Sequence, residues 1–224
     1  FNIAIDIMKK KIGSALINGP ISKKHFLKGS FDGITEFLAS KTHKKNHEVM
    51  LIYNKSLSVS PVTTHIAIKD VPKKITTKLI VKKVRTINIF YKNIIKKKPS
   101  FVVTGLNPHC ESKYKENEEN LIIKPAIKIC QKLKIKIKGP FSADTIFINN
   151  NLKKIDVIIG MYHDQVLAPI KTLYNFNAIN ITLGLPFIRI SPDHGPNNKM
   201  VGKNKSNPNS LKEALVFIKK INGN

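Results

Sequence analysis

Short apolar, β-branched runs alternate along this chain with longer stretches in which apolar residues recur every three to four positions. The runs predict strands at "SALING" (14–19), "EVMLIYN" (48–54), "VSPVTTH" (59–65), "FVVTG" (101–105), "DVIIG" (156–160) and "AINITLG" (178–184). The periodic stretches predict helices. One is "ITEFLASK" (34–41). A long one comes after Asp70 and Pro72, where Ile75, Leu79, Ile80, Val84, Ile87 and Tyr91 fit a period of 3.6. A third covers 116–134, with Ile122, Ala126, Ile129, Cys130 and Leu133 as its apolar face and Glu116, Glu118 and Glu119 near its positive end. The last is opened by "SLKE" (210–213), which matches a Ser-x-x-Glu capping box, and turns Leu211, Ala214, Leu215 and Ile218 inward. Residues 41–48, 92–99, 111–120 and 197–209 are polar loops or helix ends, and only 197–209 is long enough to carry function of its own. Strands alternating with helices predict an α/β layered fold on a largely parallel sheet.

Three of the seven histidines share one context. His65 ends "VTTH", His109 lies four residues past Gly105 in "FVVTGLNPH", and His163 lies three residues past Gly160 in "DVIIGMYH". Parallel α/β sheets bind ligands beyond the carboxyl ends of their strands. Three imidazoles placed there can converge on a divalent metal and leave a coordination position open, which is the arrangement of a catalytic site. The plainer reading of each is a hydrogen-bonding residue at the rim of the core. His43 and His47, in "HKKNH", have helical spacing but lack the Glu of a metalloprotease pair and read as surface, as does His25. His194, in "SPDHG", reads equally as a functional group or a turn residue. Arg189 and Lys171 interrupt apolar stretches. A buried guanidinium needs an anionic partner, which for Arg189 is either a ligand or a carboxylate such as Asp193. Lys171 reads as an anion ligand or as a snorkelling surface lysine.

Composition narrows the picture. The 224 residues are 42% apolar, enough to bury a core, and hold no apolar run of the ~20 residues that a membrane helix needs. The first residue is Phe, and no signal-peptide order comes after it, so the chain reads as a fragment lacking an N-terminal portion. Cys110 and Cys130 form no metal or disulfide spacing and read as reduced thiols of a cytoplasmic protein, Cys130 as a small core residue. The net charge of +25 comes almost entirely from lysine, with Arg85 and Arg189 the only arginines. Nucleic-acid readers lean on arginine forks, so a solvated lysine surface accounts for the charge better than a nucleic-acid partner does. No P-loop, dinucleotide fingerprint or nucleophile elbow is present.

"INGPISK", "GITEF", "TTHIAIKD", "TGLNPH", "GPFSADTIF", "MYHDQ", "NITLGLPFIR" and "SPDHG" occur in an order that resembles the PdxA family of 4-hydroxythreonine-4-phosphate dehydrogenases. The resemblance covers 1–224 without the family's N-terminal segment. It implies a three-layer α/β/α fold with a mainly parallel sheet, like isocitrate and isopropylmalate dehydrogenases. The subunit would have two domains with a cleft between them, approximately 15–150 for substrate and metal and 151–224 on the cofactor side. It implies a homodimer with a shared active site, a small phosphorylated amino-acid substrate, NAD or NADP, and a divalent metal of zinc, cobalt or magnesium type on His65, His109 and His163. It implies substrate contacts from Thr35, Lys171, Asn180 and Arg189, with Lys171 and Asp164 as catalytic groups; it does not fix which residues bind the cofactor. The implied reaction is oxidation of 4-phosphooxy-L-threonine and decarboxylation to 3-amino-2-oxopropyl phosphate, in pyridoxal 5'-phosphate (vitamin B6) synthesis. Two positions depart from the family pattern. Ile34 stands where the family has His before the Thr of "TEF", and "CESKYKENEE" replaces a Gly-rich loop after "GLNPH". The first departure admits a related dehydrogenase for another β-hydroxy acid as the alternative.

Overall fold

The computed structural model describes residues 1–22, 26–27, 30–31, 33–196 and 198–223. His25 and the first residue of the 197–209 loop lie outside these. The chain packs as two compact units, one made of 1–54 with 174–224 and the other of 55–173. By packing, the boundaries therefore fall at 54/55 and 173/174, not at 150/151.

The unit 55–173 carries four strands: β3 (Ser58–Pro61), β4 (Phe101–Thr104), β5 (Ile137–Phe141) and β6 (Val157–Gly160). They run parallel in the order β3-β6-β4-β5. β3, β4 and β6 are buried at every position, as strands covered on both faces are. The helix Thr77–Phe90 is capped by Thr76, whose hydroxyl accepts the Leu79 N–H at 3.1 Å. It buries Ile80, Val84 and Ile87, and Tyr91 just beyond it donates its hydroxyl to Ser58 Oγ at 2.8 Å.

The helix expected over 116–134 begins as a π-turn, Glu119–Ile123, before the α-helix Lys124–Lys132. A π-turn adds a residue to the ladder and rotates the next turns of the helix. The buried face is therefore Ile123, Ala126, Ile127 and Cys130, while Ile129 and Leu133 face water. The helix His163–Tyr174, which the apolar pattern does not show, carries Pro169 inside it.

The unit of 1–54 and 174–224 holds β1 (Leu16–Ile17), β2 (Val49–Tyr53), β7 (Ile179–Leu183) and β8 (Arg189–Pro192), in the order β1-β8-β7-β2. β1 joins β8 in parallel, whereas β8–β7 and β7–β2 are antiparallel. The turn between β7 and β8 carries Gly184 at φ +84°, where a Cβ would lie 2.0 Å from the His47 carbonyl oxygen. The α/β class holds, with the strands of one unit all parallel and those of the other of mixed direction.

The helix Asn209–Ile221 does not use the expected capping box. Ser210 lies inside it, fully buried, donating its hydroxyl to the Ala178 carbonyl and accepting the Asp193 N–H at 2.8 Å. The inward face is Ser210, Ala214 and Phe217; Leu211 and Leu215 are exposed. No helix of the described residues is long and apolar enough to cross a membrane.

Candidate active site

Each of the three singled-out histidines comes after a strand of the parallel sheet, but their settings differ. His65 lies four residues past β3, in a segment held down by Val62 N–H to Gly160 O at 2.7 Å and Thr63 N–H to Met161 O at 3.1 Å. The Thr63 hydroxyl donates to the same Met161 carbonyl at 2.7 Å. His163 is the first residue of its helix rather than the tail of a strand. The rings of His65 and His163 stand 5.9 Å apart, centre to centre. Asp164 Oδ1 lies 2.6 Å from His163 Nδ1, so its carboxylate fixes the ring's orientation. Asp164 itself is exposed.

His109 sits on an exposed turn, Pro108–Cys110, with φ of +56°, and Cys110 comes next at +61°. Its Nδ1 is 3.8 Å from Asp144 Oδ2. Among the described residues no group of three or more His, Cys, Asp or Glu side chains is arranged to hold an ion. The pair is another matter. Two imidazoles on one tetrahedral zinc, with Zn–N of about 2.1 Å, hold their centres roughly 5 Å apart. His65 and His163 are near that separation, and an imidazole steadied by a carboxylate is a donor that such ions take. These two residues fit a metal; His109 is not brought to them.

The turn bearing His109 has its own support, which sequence reasoning missed. Glu119, fully buried, accepts the Leu106 and Asn107 backbone N–H groups on Oε1, both at 2.8 Å. Its Oε2 accepts the Asn107 side-chain amide at 2.9 Å, and that amide also reaches Glu118. Burial pushes the Glu119 carboxyl up, but the hydrogen bonds, those from Asn107 foremost, outweigh it and hold the group below its ordinary value. An acid read as a helix-dipole partner is in fact a clamp on "GLNPH". The charged "EE" pair opposite an Asn-containing turn is the only signal that the sequence offers.

Lys171 is exposed, two helical turns on from His163 or about 12 Å along the axis. In the other unit, Arg189 opens β8 and is 3% exposed. Its Nε donates to Asn18 Oδ1 at 2.8 Å and its Nη1 to Thr182 Oγ1 at 3.0 Å. Thr35 Oγ1 lies 3.4 Å from the same Thr182 hydroxyl. Desolvation pulls the Arg189 guanidinium down to about 10, opposed by the nearby Glu36 carboxylate, so it stays charged at neutral pH. The carboxylate in its field is Glu36, where Asp193 was one candidate. Asn180, on β7, has an Oδ1 shut off from solvent with no hydrogen-bond partner among the described residues. Ile34 is 8% exposed and packs with Ile5, Leu27 and Leu38 in an apolar cluster. His194 lies in a turn, with Nδ1 3.1 Å from the Gly195 carbonyl and its ring edge-on to Phe176.

The family described as pyridoxal phosphate biosynthetic protein PdxA matches residues 1–218. The chain belongs to the PdxA family. It is 42% identical over 227 residues to a 4-hydroxythreonine-4-phosphate dehydrogenase of Sulfurihydrogenibium sp. (strain YO3AOP1), covering 98% of this chain and 69% of that relative. The crystal structure of a 4-hydroxythreonine-4-phosphate dehydrogenase from Klebsiella pneumoniae superposes with a TM-score of 0.80 at 28% identity, covering 96% of this chain and 67% of the other. Isocitrate dehydrogenase from Methylococcus capsulatus shares the fold alone, at a TM-score of 0.58 and 11% identity, over 98% of this chain and 71% of that one. The chain spans 62–69% of the length of the first curated PdxA relatives that it matches.

Proposed function

We propose that this chain acts in pyridoxal 5'-phosphate biosynthesis as an NAD(P)-dependent, divalent-metal-dependent 4-hydroxythreonine-4-phosphate dehydrogenase. It would oxidise the secondary hydroxyl of 4-phosphooxy-L-threonine and release CO2, giving 3-amino-2-oxopropyl phosphate. The observation that carries this reading is the His65–His163 pair, 5.9 Å between ring centres, in a chain of the PdxA family.

His65 and His163 are the residues that would hold the ion, with His109 the third ligand that the family resemblance adds. A bound divalent ion supplies Lewis acidity toward a substrate oxygen, and a nicotinamide supplies hydride acceptance. The chain's own groups do the rest. Asp164 holds the His163 imidazole by its Nδ1 and keeps Nε2 available as a donor. Arg189, fixed by Asn18 and Thr182, presents a permanent cation to a substrate phosphate or carboxylate, and Thr35 and Asn180 offer neutral polar contacts. The Lys171 ammonium stabilises negative charge that develops as carboxylate is lost. A homodimer with a shared site, working in the cytoplasm, completes the reading.

The decisive measurement is NADH formation from 4-phosphooxy-L-threonine, with and without a chelator. Turnover that the chelator abolishes and Zn2+ or Co2+ restores is expected. No turnover under any metal sinks the reading. A second reading has its own observation: Ile34, buried among aliphatic side chains, offers no polar group where the family has His. Turnover of a different β-hydroxy acid, and none of 4-phosphooxy-L-threonine, would favour it.

A further inference from the structure

The Gln165 side chain hydrogen-bonds to the ends of both β4 and β6. It is 9% exposed. Its Oε1 accepts the Met161 backbone N–H at 2.6 Å and the Thr104 hydroxyl at 2.9 Å. Its Nε2 donates to the Gly105 carbonyl at 2.8 Å. Met161 in turn accepts both the N–H and the hydroxyl of Thr63. One amide thus ties together segments that lie two residues before His65, four before His109 and two before His163. The space is tight: a Cβ on Gly160 would lie 2.4 Å from Val166 Cγ1 and 3.1 Å from Gln165 Oε1.

The chemistry of the position selects an amide. Two donors must be accepted and one carbonyl must be served, at a site closed to water. A carboxylate would face the Gly105 carbonyl with no proton to give. An apolar side chain would leave the Met161 N–H and the Gly105 carbonyl without this partner, and the Thr104 hydroxyl with only its longer contact to the Ile159 carbonyl at 3.4 Å. Backbone held this way cannot drift, and a metal ligand misplaced by a fraction of an ångström loses affinity.

We propose that Gln165 is a positioning residue, setting the separation of the three strand-end segments and hence of the histidines they carry. This rests on the metal reading above.

The test is Co2+ titration of the full chain, monitored by the visible ligand-field absorption, together with thermal unfolding. Gln165→Met is expected to weaken Co2+ binding about 10–100-fold and to shift the absorption bands. Thr104→Val, which removes one of the three bonds and keeps the side-chain shape, is expected to weaken it several-fold. Thr104→Val also keeps the proposal testable should Gln165→Met fail to fold. Tyr91→Phe is the structural control: it deletes the buried bond to Ser58, lowers the unfolding temperature and leaves Co2+ affinity unchanged. If Gln165→Met and Thr104→Val fold and bind Co2+ as the parent does, the positioning role is wrong while the metal reading stands. If the parent binds no Co2+, or His65→Ala and His163→Ala bind as well as it does, the metal reading falls and the proposal with it.

Discussion

Asn107 and Glu119 are joined twice: the Asn107 backbone N–H and its side-chain amide reach the two different oxygens of one buried carboxylate, at 2.8 and 2.9 Å. Removing that carboxylate strands two half-buried backbone donors and leaves the Asn107 amide with Glu118 alone. Glu119→Ala should cost about 3 kcal/mol of stability, at 1–3 kcal/mol for each group left unsatisfied and partial relaxation of the turn. Glu119→Gln, which keeps one acceptor oxygen, should cost about half as much. Because the folded-state pKa is lowered, the contribution is present above the ordinary carboxyl range and is lost as pH falls through the folded value. Urea titrations between pH 7 and pH 3 should therefore show a smaller loss of stability in acid for Glu119→Gln than for the parent.

Asp164 is exposed, so its replacement should leave stability within about 0.5 kcal/mol. Its contact with His163 Nδ1 predicts a separate effect. Asp164→Asn should weaken divalent-metal binding about 10-fold or more, as loss of an outer carboxylate partner commonly does. Isothermal titration with Co2+ would decide it; unchanged affinity would leave the carboxylate without a role at the ring.

Gly184 leaves no room for a side chain. At φ +84°, with the His47 carbonyl 2.0 Å from any added Cβ, Gly184→Ala must both strain its own backbone and push the 47–49 segment off β7. A loss of at least about 2 kcal/mol is expected, read from the urea midpoint. A neutral outcome would mean that the turn between β7 and β8 is not held as described.

Cys130 is fully buried, and its thiol is pushed up to about 11 by desolvation, with Arg85 opposing. The native chain should show no rapid reaction of Cys130 with a disulfide reagent at pH 8, and full reaction in denaturant. The folded thiol's pKa lies above its unfolded value of about 9, so its share of stability is intact below pH 9 and is lost as pH rises toward 11. Cys130→Ala should flatten that alkaline limb.

The parts legible in the sequence are those written in local pattern. β2, β4, β6 and β7 announce themselves as β-branched runs, and Ile80, Val84 and Ile87 as a helical stripe. The features that escaped depend on partners far away in the chain. β5, "IKGPF", mixes Lys, Gly and Pro and becomes a strand because β4 lies beside it. Arg189 and Ser191 break the apolar pattern of β8, yet both are buried. The helix after His163 was hidden by Pro169 and by polar residues in its first turn. "SLKE" has the form of a cap, but Ser210 was claimed by Ala178 and Asp193, whose buried groups needed it more. At the site, strand-end position singled out His65, His109 and His163 alike; that the rings of His65 and His163 stand 5.9 Å apart, that His109 turns toward Asp144, and that Gln165 and Glu119 hydrogen-bond to the neighbouring loops, is tertiary information. Ile34 reads as a lost polar contact in sequence and as an ordinary core aliphatic in space.

The division into a continuous unit, 55–173, and a split one, 1–54 with 174–224, imposes an order on synthesis. Every strand of the parallel sheet has left the ribosome once residue 173 is exposed, so that unit can close around Phe101 and Ile158 while translation continues. Its counterpart must wait: β2 has no neighbour to pair with in its own unit until β7 emerges more than a hundred residues later. In the interval Val49–Tyr53, five apolar residues in an extended run, lacks the antiparallel partner that its own unit supplies.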